Sequence, residues 1–227
     1  MLRITGLFLS AMMLLGTAGV AFGADIVTVP TANQLRQGQA DGAYYFIGLD
    51  LPPGAPDNVQ VQTAYLGLTD RIEIDLHRYD IDKAGDATII NASVLLMAET
   101  PVTPDIVIGG RNIGGSEVGG DPESDKASWY IAAAKTLKLP AVGPPTLPII
   151  RLHAALGTKD HTLLGEDRHK GLFGGVQMLL TPEIGLVALH DSQDLITGLT
   201  YMPENTGLTL KGGTYGDHWW VGISWAK

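Results

Sequence analysis

Residues 71–81 read RIEIDLHRYDI. Ile72, Ile74 and Leu76 fall on one side of an extended chain; Arg71, Glu73, Asp75 and His77 fall on the other. A period of two excludes an amphipathic helix, whose apolar stripe recurs every three to four residues, and specifies a β-strand. The same alternation returns along the chain. Residues 58–68 set Val59, Val61, Thr63 and Tyr65 against Gln60, Gln62 and Ala64. Residues 88–99 align Ile90, Ala92, Val94, Leu96 and Ala98. In 148–156, Ile150, Leu152, Ala154 and Leu156 oppose Arg151 and His153. In 218–225, Trp219, Val221, Ile223 and Trp225 alternate with His218, Gly222 and Ser224, and Trp220 breaks the rule.

With segments 43–51, 71–81, 105–113, 128–137, 172–180, 184–191, 195–202 and 208–214, the pattern predicts about 12 strands. The one stretch with helical propensity is 125–139, DKASWYIAAAKTLKL. Two kinds of connection join the strands. The links at 67–71, 100–105, 180–184 and 203–207 are tight turns of Thr, Pro, Asp and Glu. Those at 51–58, 80–86, 114–126 and 157–170 are longer and polar. They alternate, which predicts short turns on one rim and long loops on the other; 138–148 and the brief links near Ser192 and Gly216 depart from this.

Periodicity does not say which solvent the apolar stripe meets. A soluble sheet turns it inward, whereas a membrane barrel turns it toward acyl chains and keeps polar groups in the lumen. Three features favour lipid. Nine-residue strands tilted about 45° rise roughly 20 Å, close to an outer-membrane apolar band. Aromatics gather near strand ends: Tyr44, Tyr45, Tyr79, Trp129, Tyr130, Tyr201, Tyr215, Trp219 and Trp225. Small residues interrupt strands, as in YIAAAK and LFGGV, where a soluble core wants bulk. The expected fold is all-β: a single-domain antiparallel transmembrane β-barrel of about 12 strands. Its alternative is a soluble periplasmic β-barrel or sandwich that binds a ligand inside.

The N-terminus fits export. One cation, Arg3, precedes an apolar run, and Ala21 and Gly23 stand at −3 and −1 of a cut before Ala24. Residues 1–23 are therefore expected to be a signal peptide, 24–42 a periplasmic lead-in and 43–227 the barrel, placed in a bacterial outer membrane. A net charge of −9 with no basic cluster argues against nucleic acid. The absence of cysteine removes disulfides, thiolate metal sites and thiol catalysis.

Three phrases resemble the YjbH-like outer-membrane group linked to exopolysaccharide production: VPTANQLRQGQADGAYYF (29–46), YLGLTDRIEI (65–74) and GLFGGVQMLLTPEIGLVALHDSQDLITGLTYMP (171–203). The resemblance implies a β-barrel in the envelope, a passive channel or an accessory role in surface-polysaccharide export. Outer-membrane lipid, the barrel-assembly machinery and a polysaccharide or small solute are the expected partners.

The candidate lumen-lining row is Arg71, Glu73, Asp75, His77, Arg151 and His153. No catalytic set, metal site or cofactor is expected. The six histidines form no HxH or HxxxH pair, and there is no GxSxG elbow. Asp121, Glu123 and Asp125 have oxygen-ligand spacing but lack the glycine turn and distal glutamate of a calcium loop. His190, Asp191 and Asp194 read as a polar rim.

Overall fold

The computed structural model describes residues 25–27, 29–115, 117, 126–138, 148–158, 160–161 and 167–226. The expected signal segment and the acidic trio Asp121, Glu123 and Asp125 lie outside the described residues. Twelve antiparallel strands close into one barrel. They are β3 (Ala40–Gly48), β4 (Asn58–Gly67), β5 (Ile72–Ile81), β6 (Gly85–Met97), β7 (Asp105–Arg111), β8 (Ser128–Lys138), β9 (Ile149–Gly157), β12 (Gly171–Leu179), β13 (Ile184–His190), β14 (Leu195–Tyr201), β15 (Leu208–Tyr215) and β16 (His218–Ala226). Each pairs with its neighbour in the chain, and β16 closes on β3 with Trp225 opposite Gly42. Two ribbons stand apart from the wall: β1 (Asp25–Ile26) with β2 (Val29–Pro30), and β10 (Asp160–His161) with β11 (Asp167–Arg168).

Most of the connections sort as their composition predicts, and the short links 191–194 and 216–217 are the departures. One mouth, here mouth A, carries the start of β3, the end of β16 and the links 68–71, 98–104, 180–183 and 202–207. Mouth B carries 49–57, 82–84, 112–127 and 158–170, together with the short links 191–194 and 216–217. The stretch 125–139 is not helical: residues 128–138 are strand β8, bonded to β7 and β9 on either side. The alanine run favours a helix locally. Pairing with β7 over 128–134 and with β9 over 130–138 engages its backbone groups in the sheet, so tertiary context prevails.

The polarity of the wall is decided on β5. Ile72, Ile74 and Leu76 point outward with 36–39% of their surface exposed, while Glu73, Asp75 and His77 are buried. Large apolar side chains are exposed on eleven of the twelve barrel strands; β4 is the exception. On β5 the outward apolar row gives way to Arg78 and Asp80 near mouth B, and on β6 to Thr88 and Asp86. Arg78 and Asp86 are joined by an ion pair of 2.9 Å. That switch marks the upper edge of the apolar band.

The aromatics divide between the two faces. Trp129 and Trp219 near mouth B and Tyr201 near mouth A face outward, as a girdle requires. Tyr45, Tyr79 and Tyr215 instead lie buried inside, and Tyr130 points inward against the same core, so for these four the girdle expectation is corrected. Trp220 is also interior. Its ring takes the space left by Gly198, where an added Cβ would sit 2.6 Å from Cζ2. Its indole N–H donates to the carbonyls of Thr197 and Thr214. This explains the broken alternation in the last strand.

Candidate functional site: the barrel lumen

Twelve strands about 4.8 Å apart and tilted near 40° enclose a backbone cylinder roughly 24 Å across. Eight-stranded barrels of this kind are filled by their own side chains; wider ones leave space. Here part of the space is taken by the chain's own start. Val27, Val29 and Ala32 are buried in the same apolar cluster as Tyr45, Ile47, Tyr79 and Trp220. From there the segment runs toward mouth A and touches several walls. Asn33 accepts from Nε of Arg151 on β9 at 2.6 Å and donates to Gln177 on β12 at 3.3 Å. Gln34 donates to Ser93 on β6 at 2.9 Å, and the Leu35 amide donates to Glu73 on β5 at 2.7 Å. The segment leaves at Gly38 and Gln39, whose backbone pairs with Gly67 at the end of β4. The lead-in thus folds into the lumen instead of hanging below it.

Gly67 is what lets the segment pass. A Cβ there would lie 2.0 Å from the Arg36 carbonyl oxygen. Gly38 adopts a positive φ of 79° with open space around it, a conformation glycine takes without penalty.

Five of the six candidate lumen residues face inward and are buried: Glu73, Asp75, His77, Arg151 and His153. Arg71 does not. It lies in the turn before β5 and is exposed, because the strand begins one residue later than the alternation suggests. Glu73 accepts from the Leu35 amide, and the other four fall into two groups. In the first, His77 Nε2 meets the Tyr65 hydroxyl at 3.0 Å and Asp75 at 2.9 Å, and Nδ1 meets the Tyr79 hydroxyl at 3.2 Å. Tyr79 in turn accepts from Arg111, and Asp75 accepts from Asn91.

In the second, Arg151 pairs with Glu99 at 2.8 Å and Asp105 at 2.7 Å and donates to Thr136. His153 meets Gln177 at 2.8 Å. Burial would raise the Glu99 carboxyl. The amide and hydroxyl of Thr136, then Lys135 and Arg151, outweigh it and hold the group below its ordinary value. Most polar atoms of these networks find partners within the barrel, as a buried polar lumen requires, while His153 Nδ1 is buried without one among the described residues.

A third cluster, at mouth B, joins residues far apart in sequence. Arg168 in the 158–170 loop is buried and grips Asp191 at 2.6 Å and Asp194 at 2.8 Å. The Tyr215 hydroxyl donates to the same Asp191 oxygen, and the guanidinium lies 5.1 Å from the Tyr215 ring centre. Asp191 and Asp194 thus anchor a returning loop as well as edging the rim. Burial would raise the Asp191 carboxyl; the Asp194 amide, Tyr215, Arg168 and the Gln193 amide together lower it. Burial opposes the charge on Arg168, yet Tyr215 and the two aspartates raise its affinity for the proton above the ordinary value. Alternation cannot reveal this cluster, since its members come from a loop, a turn and a strand. Among the described residues no group of His, Cys, Asp and Glu is arranged to hold a metal ion.

Comparison with known protein families and with characterised proteins finds no match. Among solved structures, one similar chain is a "KdgM porin", 11% identical, covering 82% of this chain and 98% of that one with a TM-score of 0.48. That degree of likeness adds nothing to the 12-strand barrel that the strand pairing already defines.

Proposed function

We propose that the protein is an outer-membrane β-barrel of the passive-channel class, with its lumen occupied by its own N-terminal segment. The observation that carries this reading is the inverted polarity of β5 and β6. Isoleucine and leucine face the surroundings, while Glu73, Asp75, His77, Asn91 and Ser93 are buried inside. In water such a surface would expose a continuous apolar belt far larger than soluble monomers carry. In a bilayer it is the stable arrangement, and the closed barrel leaves no unpaired edge. The rival, a soluble periplasmic ligand-binding domain, requires the opposite orientation. Outer-membrane lipid is then the solvent of the belt, and the barrel-assembly machinery the partner that inserts it. The YjbH-like phrases support a finer reading, an accessory part in surface-polysaccharide export.

Envelope fractionation with electrophoresis of boiled and unboiled samples tests the main reading. The expected result is recovery with the outer membrane and a heat-dependent change in mobility; recovery in the periplasmic wash refutes it. Ile74→Arg, placing a charge in the middle of the belt, should weaken the folded state in lipid by about 2–4 kcal/mol. Unfolding of the barrel in vesicles by urea measures this. The polysaccharide role is checked by deleting the gene and measuring exported polysaccharide, which should fall.

A further inference from the structure

We propose that residues 25–36 are a displaceable plug, and that its withdrawal through mouth A is what opens the pore. The inference rests on the membrane-barrel reading above and adds its regulation.

The segment is inside the barrel without being part of it. No described residue of 25–36 belongs to the closed twelve-strand sheet; β1 and β2 pair only with each other. Its hydrogen bonds to the wall include those of the Asn33 side chain with Arg151 and Gln177, of the Gln34 side chain with Ser93, and of the Leu35 amide with the Glu73 carboxylate. None of these is an ion pair. Arg151 and Gln177 keep other partners when the segment leaves. Arg151 retains Glu99, Asp105 and Thr136, and Gln177 retains His153. Withdrawal would bring these polar groups into contact with water and would also uncover Tyr45, Ile47, Tyr79 and Trp220, against which Val27, Val29 and Ala32 pack, so the closed state is favoured and the open one is the minor state.

The pivot is equally defined. Gly38 has a positive φ and nothing within 4 Å of its added Cβ, next to the backbone clamp between Gly38, Gln39 and Gly67. Rotation about this point carries residues 25–36 out of mouth A and leaves the β3–β4 pairing intact. Arg36 and Gln37, just inside the pivot, are already exposed.

The chain has no cysteine, so a paired substitution gives a clean lock. Asn33→Cys with Gln177→Cys, bridged by a short bismaleimide, ties the plug to β12. Planar-bilayer recordings then compare this double variant before and after bridging. The expected result is intermittent openings before the bridge and at least a tenfold lower open probability after it. A second variant lacking residues 25–36 should conduct steadily. The gate is overturned if bridging leaves conductance unchanged, or if the deletion variant inserts and stays closed. Should the deletion variant not fold, the bridged pair decides alone. Failure of the unaltered protein to shift on heating or to enter vesicles refutes the membrane reading, and the gate with it. Normal insertion with conductance indifferent to the bridge refutes the gate only.

Discussion

The two mouths of the barrel are closed by different chemistry. At mouth A the closing element is the segment that leads into β3, held by hydrogen bonds to Ser93, Gln177, the Arg151 guanidinium and the Glu73 carboxylate and by the burial of Val27, Val29 and Leu35. At mouth B it is a loop tied at both ends, to β9 and β12, and pinned by a guanidinium between two carboxylates and a tyrosine. The hydrogen bonds at mouth A add about 0.5–3 kcal/mol each, the larger values for those to a charged partner, and Arg151 keeps Glu99 and Asp105 when Asn33 leaves. A buried charge deprived of its partner is far more costly. Mouth B is thus fixed and mouth A adjustable, although both are plugged in the same state.

The largest expected break in this contrast is Arg168→Ala. It strands the fully buried Asp191 and should cost about 3–5 kcal/mol, read as a lower temperature for the heat-dependent mobility shift. Gly67→Ala comes next. Its Cβ collides with the Arg36 carbonyl, an overpacking penalty of about 1–3 kcal/mol that falls on mouth A. Thiol labelling of Leu35→Cys in that background should rise, while mouth B stays unaltered.

Acid should distinguish the mouths further. The folded-state Asp191 carboxyl is depressed. Its stabilising contribution is therefore complete above the ordinary carboxylate value and is lost as pH falls through the depressed one. Arg168, raised in the fold, stays charged throughout. Proteolysis within the 158–170 loop should accordingly increase at low pH and recover on neutralisation. The smallest effect is expected from Asn33→Ala, about 1 kcal/mol, seen as a modest rise in labelling at position 35.

The wall was legible in the sequence because each strand meets two media, and alternation records that directly. Ile72, Ile74 and Leu76 against Glu73, Asp75 and His77 place β5 almost to the residue, with only Arg71 falling outside. What alternation could not convey was which aromatic faces which medium. Tyr44 and Tyr45 are neighbours, yet one is exposed and the other buried. The plug was hidden for a different reason. Asn33, Gln34 and Gln39 give it the composition of a linker, and its contacts reach 144 positions along the chain, to Gln177. Its one local hint is the spacing of Val27, Val29, Ala32 and Leu35, four apolar residues in an otherwise polar stretch. The latch at mouth B is similarly non-local, since Arg168 and Tyr215 are 47 positions apart.

The clash built into Gly67 bears on how the molecule can be handled. A purification handle fused ahead of Asp25 would be joined directly to the segment that seats Val27 and Val29 against Tyr45, Ile47 and Trp220, and would load the seat whose fit at Gly67 leaves no room for a methyl group. Such a fusion is expected to shift the occupant toward the emptied state. A handle on the far terminus, beyond Ala226 and outside the wall, leaves the occupant in its seat.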